Sequence, residues 1–116
     1  MQLTINGKKC DLNFGVKFVR TLDQHNGLSA KLQGQQVSLG YGVLKVLPAL
    51  QAYNPAALSA VLYAASWDNK PRPSQDDCDS YLETLSEKQL EDLFEKINKA
   101  INDSTVLKLT VKNMTA

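Results

Sequence analysis

Residues able to do acid–base, nucleophilic or metal chemistry are few in this chain and stand apart from one another. His25 is the only histidine among 116 residues. No carboxylate or second ligand lies at a spacing that would pair with it in a catalytic or metal site. Its position near the end of a predicted helix is typical of an interaction with the helix dipole. We therefore expect neither an enzyme nor a cofactor or metal site.

The two cysteines are also poor candidates for chemistry. Cys10 and Cys78 are far apart and do not form a metal-spaced pair. Cys10 falls on the apolar face of a predicted strand, as a small core residue does. Asp77 and Asp79 flank Cys78 and should raise the pKa of its thiol, which disfavours a reactive thiolate. Nothing requires a disulfide, so a reducing cytoplasm is the natural compartment.

Charge is nearly balanced overall but uneven along the chain. The formal net charge of +1 gives no general attraction to nucleic acid or to anionic lipid. Residues 76–95 carry eight acidic groups against one base, Lys88. A solvated helical face explains such a run, and a basic docking partner is the alternative. The longest apolar stretch is too short to span a bilayer. We expect no nucleic-acid partner and no membrane partner.

The first predicted structural element of the chain is a β-hairpin. Apolar and polar residues alternate over 2–6 and again over 9–14, with Asn6-Gly7 between the two runs. This dipeptide predicts a two-residue type I′ turn, because both central positions of that turn need a positive φ. After Gly15 the apolar spacing becomes helical and ends at Asn26-Gly27, a typical C-cap.

Helical patterns fill most of the remaining chain. Residues 28–40 are polar, contain two glycines and predict a loop. A helix of about three turns follows Tyr41, and Pro48 inside it predicts a kink or break. Asn54-Pro55 predicts the start of an apolar core helix. Two further helices are predicted by capping residues, which are Ser74 with Asp77 and Ser86 with Gln89.

The C-terminal residues show a strand pattern. Leu107, Leu109 and Val111 alternate with polar residues, which predicts a strand over 106–112 that would pair with the N-terminal hairpin. A frayed tail is the alternative. The chain as a whole predicts a mainly helical α+β domain, 1–116, in which an N-terminal β-hairpin (2–14) packs on about four to five helices. The helical body spans 16–102, and a tail or strand spans 103–116.

An ordered set of these segments resembles the tail assembly chaperones of long-tailed bacteriophages (siphophages) of Gram-positive bacteria. The resemblance covers residues 2 to about 101 and lies in five segments, which read LTINGKKCDLNFGVKFVRTLD, GVLKVLPAL, NPAALSAVLYAAS, PRPSQDDCDSYLET and LEDLFEKINKAI. Each segment alone is only weakly specific for this family, whereas the occurrence of all five in this order is more specific. The strand-like pattern at 106–112 departs from the charged helical tail that the resemblance implies.

The resemblance implies a role in virion morphogenesis without catalysis. Such chaperones bind the tape measure protein, keep it soluble, help recruit tail tube (major tail) subunits in the host cell cytoplasm and are absent from the finished virion. The two partners implied are therefore the tape measure protein and the tail tube protein, with self-association as a further option. A minor structural or connector protein of the tail is the alternative, and it would be present in purified virions.

Apolar residues beyond the needs of one small core are the candidates for partner binding. They are Leu44, Leu47, Leu50, Tyr63 and Trp67. For all of them a core position is the competing interpretation, and we favour that interpretation for the nearby Leu58 and Leu62. For Trp67, packing back over the preceding helix is favoured over anchoring a partner.

Overall fold

The N-terminal hairpin has the two-residue turn that the sequence predicts. The computed structural model describes residues 1–26, 28–32, 35–40 and 42–115, with side chains described within 1–24 and 42–112. Strands β1 (Gln2–Ile5) and β2 (Lys8–Asp11) pair antiparallel, with Ile5 opposite Lys8. Asn6 and Gly7 connect them with φ of 50° and 82°, as a type I′ turn requires. One face of the hairpin enters the core through Ile5 and Cys10.

A second hairpin follows the first helix, where the sequence predicts a loop. Helix α1 (Val16–Asn26) buries Phe18 and Leu22, and Gly27, its predicted C-cap, lies outside the described residues. Strands β3 (Leu28–Leu32) and β4 (Gln35–Gly40) then pair antiparallel. The loop prediction over 28–40 is therefore wrong. Leu28, Ala30 and Leu32 alternate with Ser29 and Lys31, which is a strand pattern. The loop prediction gave more weight to the polar residues and the two glycines of this segment than to that alternation.

Helix α2 (Gly42–Gln51) approaches α1 closely at its first residue. The Gly42 N–H donates to a carboxylate oxygen of Asp23 at 2.7 Å. A Cβ atom at position 42 would overlap the backbone of Leu22 and Asp23, so only glycine fits this contact. The helix runs through Pro48 without a break and ends three residues later.

Helix α3 (Pro55–Ala65) is the core helix that the sequence predicts. The Asn54 side chain accepts hydrogen bonds from the N–H groups of Ala56 and Ala57, and Pro55 occupies the first turn. Eight of the eleven residues are buried. The prediction that this helix lies at the centre is confirmed, because α1, α2 and α4 (Gln75–Glu83) all pack against it.

Capping boxes begin the next two helices, as predicted. Ser74 and Asp77 cap α4, and Ser86 and Gln89 cap α5 (Glu87–Asp103). The amide of Asn6, in the hairpin turn, donates to the Asp77 carbonyl at 3.3 Å, so the turn is tied to the start of α4. The inner face of α5 is buried through four apolar residues, which are Leu93, Phe94, Ile97 and Ile101.

The C-terminal segment is a helix, so the prediction of a strand over 106–112 is wrong. Helix α6 (Thr105–Thr115) follows Ser104, whose carbonyl accepts from the N–H of Lys108 at 2.8 Å. Leu107 is fully buried and Val111 packs against the core. Residues four apart share one helix face, and the same leucine–valine pair also fits a strand, which explains the error.

The fold class is confirmed as mainly helical α+β. Across the described residues there are six helices rather than the four to five predicted, and the N-terminal sheet has two strands without a third from the C-terminus. The helical C-terminus also removes the departure from the family resemblance noted above.

The close approach at Gly42 predicts a large effect of one methyl group. Gly42→Ala should lower the free energy of unfolding by about 1–3 kcal/mol, because backbone atoms of α1 must move to admit the Cβ. Gly15→Ala is the matched control, since a Cβ at position 15 meets nothing within 4 Å. Urea unfolding of both variants measures the difference. Equal losses in the two variants would show that the α1–α2 contact does not constrain the fold.

The capping box of α4 predicts a specific pH dependence. The Ser74 backbone N–H, with smaller contributions from the Ser74 hydroxyl and the Asn6 amide, holds the pKa of Asp77 below its ordinary value of 3.8. A lowered folded-state pKa stabilises the protein above the ordinary value, and the stabilisation is lost as pH falls through the lowered pKa. The stability difference between wild type and Asp77→Asn should therefore be full at neutral pH and shrink below pH 3.8.

Urea unfolding of wild type and Asp77→Asn at a series of pH values measures this difference directly. Asp76→Asn is the control, because it removes the same charge from the same helix turn outside the capping box. A difference that does not change with pH would contradict a role for the Asp77 carboxylate in capping.

Candidate partner-binding surfaces

Two of the five residues predicted to bind a partner lie in the core. Leu47 and Leu50 project from α2 into the main cluster of buried side chains, together with Leu58 and Leu62 of α3. The core interpretation favoured for Leu58 and Leu62 is confirmed. Leu47 and Leu50 are buried and cannot contact a partner in this conformation. Their packing in the core holds α2 in position.

Tyr63 is half-buried beneath a cation from the loop that precedes α4. The guanidinium carbon of Arg72 lies 3.9 Å from the centre of the Tyr63 ring. One Arg72 nitrogen also donates to the Tyr63 backbone carbonyl at 2.7 Å. The two contacts fix the 66–74 loop against the end of α3, and they cover one face of the ring.

Trp67 packs back toward the first helix. The Lys17 ammonium lies 4.7 Å from the centre of the Trp67 ring, within the range of a cation–π contact. The side chain is half-buried, and its Nε1–H is enclosed without a hydrogen-bond acceptor among the described residues. This arrangement agrees with the interpretation that Trp67 packs back onto its own chain, and part of the residue stays in contact with solvent.

Leu44 is the predicted residue that faces solvent most fully. Its side chain is 41% exposed, and Pro48 and Ala52, four and eight residues later, are exposed too. The Ala52 N–H bonds to the Pro48 carbonyl at 3.1 Å, so the helical path continues to this point. Leu44, Pro48 and Ala52 therefore form one apolar row, which we call the α2 stripe.

A shallow groove runs beside the α2 stripe. It has a volume of about 190 Å³ and separates α2 from the start of α3. Lys45 and Ala49 line it on the α2 side, and Asn54, Ala56 and Ala57 line it on the other. We call it the α2–α3 groove. Together with the stripe it makes an apolar surface with one cation at its edge.

A larger groove, with a volume of about 530 Å³, lies among α3, α4 and α5. We call it the α3–α5 groove. Leu82, Leu85 and Leu90 supply its apolar lining, and Ala56 and Pro55 form the wall on the α3 side. None of these three leucines was among the residues predicted to bind a partner. The signal that was missed is that Leu85 and Leu90 flank the junction of two helices, where neither is fully covered.

Carboxylates mark the rim of the α3–α5 groove. Asp79 and Glu83 belong to its lining and sit one helical turn apart on α4. Asp79 accepts a hydrogen bond from the buried Ser59 hydroxyl, which in turn accepts from the Gln75 amide at 2.7 Å. The polar network holds Asp79 in place. Glu83 is exposed at the same rim, so the groove favours a basic ligand.

The buried thiols carry no chemistry at these surfaces. Burial, with the nearby Asp79 and Asp77 carboxylates, raises the pKa of Cys78 to about 12. Burial also raises the pKa of Cys10. A protonated thiol is a weak nucleophile and a poor metal ligand. Among the residues that the structure describes, no cluster of histidine, cysteine and acidic side chains is placed to hold a metal ion, and the side chain of His25 lies outside them.

Among the described residues, none of the helices is long and apolar enough to cross a bilayer. The candidate partner surfaces are the α2 stripe with the α2–α3 groove, and the α3–α5 groove. Ala56, at the start of α3, lines both grooves.

The burial pattern of α2 predicts different losses of stability when Leu44 and Leu47, three residues apart, are each replaced by aspartate. Leu47→Asp should lower the free energy of unfolding by more than about 3 kcal/mol, because it places an unpaired carboxylate in the core. Leu44→Asp should change it by less than about 1 kcal/mol, since the side chain is already in contact with water. Thermal and urea unfolding compare the two. A stable Leu47→Asp protein would contradict the packing of α2.

Comparison with known proteins extends the resemblance drawn from the sequence. The family described as "Phage tail assembly chaperone protein, TAC" matches the chain over residues 2–115. No curated protein and no solved structure gives a significant match. The matched span includes both hairpins and all six described helices, which confirms the predicted family at the level of tail assembly chaperones. The chain belongs to the phage tail assembly chaperone family.

Proposed function

We propose that this chaperone binds the tape measure protein in the cytoplasm of the host cell, keeps it soluble and helps to recruit tail tube subunits around it. The observation that carries the proposal is the match to the tail assembly chaperone family over residues 2–115. In this proposal the protein acts by binding, without catalysis, and is absent from the finished virion.

The α2 stripe and the α2–α3 groove are the proposed binding surface for the tape measure protein. Long helical proteins with apolar stripes aggregate when those stripes stay exposed. A chaperone covers such a stripe by offering an apolar surface of matching shape, as in helix-in-groove recognition. Leu44 is the largest exposed apolar side chain of this surface, and Leu47 and Leu50 hold α2 in position from the core side.

Tyr63 and Trp67 are proposed as secondary contacts. Each is half-buried, and each has one ring face beneath a cation, Arg72 or Lys17. Aromatic side chains that keep an accessible edge are common anchors in protein interfaces. A partner would contact the part of each residue that stays exposed beside Arg72 or Lys17.

The modest size of the surface suits a temporary complex. A groove of about 190 Å³ beside three exposed apolar residues gives a small contact area. Small interfaces are typical of weak and transient complexes. Weak binding allows tail tube subunits to displace the chaperone as they polymerise on the tape measure protein.

Co-expression with the tape measure protein tests the proposal. We expect wild-type chaperone to raise the soluble fraction of the tape measure protein and to co-purify with it. Leu44→Asp should lower both by several-fold while the melting temperature stays unchanged. Val16→Asp is the matched control, because it puts the same charge at another exposed apolar position, on α1.

Two results would contradict the proposal. One is an unchanged soluble fraction of the tape measure protein with no co-purifying complex. The other is the presence of this chain at fixed copy number in purified virions, measured by mass spectrometry, which would identify a structural component of the tail instead.

A further inference from the structure

Tyr53, which directly follows the last residue of the α2 stripe, holds an aromatic ring at the surface. The residue is 42% exposed. Its N–H donates to the Leu50 carbonyl at 3.1 Å, and the Asn54 N–H donates to the Ala49 carbonyl at 3.0 Å, which is a common pattern at the end of a helix. The φ of Tyr53 is 60°, in the left-handed region where such helix ends favour glycine. A contact of the tyrosine side chain therefore has to compensate for the unfavourable backbone conformation.

That contact is made with Phe94 of α5. The two ring centres are 4.8 Å apart, and the ring planes differ by 7°. Phe94 is almost fully buried, so it fixes the Tyr53 ring and covers one of its faces. The exposed area of Tyr53 lies on the opposite face and at the ring edge. The end of the α2 stripe thus carries a fixed aromatic surface in contact with water.

Two carboxylates of α5 lie beside this ring. Glu91 and Glu95 are both exposed, and their spacing of four residues puts them on one side of the helix. Partial burial of the phenol, the negative charges of Glu95 and Glu91 and a hydrogen bond to Glu95 all raise the pKa of Tyr53. The ring is therefore neutral at neutral pH, whereas both groups beside it are negative. The two glutamates belong to the acidic run over 76–95, for which the sequence left a solvated face and a basic partner as alternatives.

An aromatic face bordered by two carboxylates matches a cation. Lysine and arginine side chains bind the face of an aromatic ring, and a carboxylate attracts the same charge. The α2 stripe, in turn, requires apolar side chains from whatever covers it. Ala52 lies eight residues after Leu44, about 12 Å along a helix. A helix laid along the stripe would therefore meet both surfaces if a basic residue lay about two turns from the apolar residue that contacts Leu44.

We infer that the α2 stripe receives an amphipathic helix of the tape measure protein that carries a lysine or an arginine, and that the cation lies on the Tyr53 ring beside Glu91 and Glu95. The inference rests on the proposed function, since it names the chemistry of the segment bound at the same surface. Tyr53 and the two glutamates would select that segment, because a helix without the basic residue would remove water from the carboxylates and leave them unpaired.

Co-purification of the intact tape measure protein with variants of the whole chain tests the role of the three residues. Glu91→Gln/Glu95→Gln should retain about fivefold less tape measure protein than wild type, because the attraction for the cation is lost. Tyr53→Leu should retain about threefold less, since leucine can cover Phe94 without offering an aromatic face. Tyr53→Phe keeps the ring and should lose less than Tyr53→Leu. High salt should weaken wild-type binding and narrow the difference from Glu91→Gln/Glu95→Gln.

Asp92→Asn is the matched control. It removes the same charge from the same helix, but Asp92 lines a separate depression with Leu3 and Tyr81, so it should retain as much tape measure protein as wild type. Thermal unfolding verifies that each variant is folded. Glu91→Gln/Glu95→Gln alters only exposed side chains, so it keeps the inference testable even if Tyr53→Leu loses stability.

Synthetic peptides that together span the tape measure protein identify the segment bound. Fluorescence anisotropy should show the lowest Kd for peptides with a lysine or arginine about two helical turns from an apolar residue. Replacing that basic residue by glutamine should raise the Kd for wild type about fivefold. The same replacement should change the Kd for Glu91→Gln/Glu95→Gln by less than about twofold, because the two changes remove one interaction.

Three outcomes would overturn the inference while the proposed function stands. One is wild-type retention of the tape measure protein by Glu91→Gln/Glu95→Gln. Another is an equal loss in Asp92→Asn, which would indicate a general effect of charge. The third is a loss in Glu83→Gln in place of Glu91→Gln/Glu95→Gln, which would assign the basic residue to the α3–α5 groove. A wild type that retains no tape measure protein would contradict the proposed function and this inference together.

Discussion

Burial of α3 on almost its whole circumference is the constraint on which the rest of the molecule depends. Its three large core side chains, Leu58, Val61 and Leu62, are fully buried, and each stabilises the fold by about 1.5–3 kcal/mol through removal from water. Alanines between them let α1, α2 and α4 approach closely. The exposed residues of α3 are Pro55 and Ala56, in its first turn, and Tyr63 near its end is half-buried. Both grooves meet in that first turn, at Ala56.

Local signals in the sequence predict the elements that local interactions determine. Asn6-Gly7, Asn54-Pro55 and the two capping boxes each satisfy their backbone groups within a few residues, so the sequence shows them directly. The second hairpin is also local, with Leu32 opposite Gln35, and the polar, glycine-containing sequence over 28–40 concealed it. Helix α6 depends on a contact between distant parts of the chain. The bond from Ser104 to Phe14 spans 90 residues, and periodicity over 106–112 cannot reveal it.

The candidate site was predictable in part, for a similar reason. Helical spacing places Val43, Val46, Leu47 and Leu50 on one face of α2 and leaves Leu44 on the other, which the structure bears out in its pattern of burial. The prediction named Leu44, Leu47 and Leu50 together as partner-binding residues. It did not separate the exposed Leu44 from the two buried leucines. The α3–α5 groove was beyond prediction, because it forms only where three helices meet and no single helix pattern contains it.

The reactivity of the two buried cysteine thiols reports on the opening of the core. Cys10 and Cys78 lie in the same core, one on the hairpin and one on α4, and both are almost fully enclosed. Cys78 is fully buried, and burial raises the pKa of its thiol to about 12. The thiol therefore does not react with alkylating reagents while the fold is closed. Its alkylation at neutral pH therefore requires an opening of the fold that brings the thiol into contact with solvent. The rate of that reaction therefore measures how often the core around Cys78 opens.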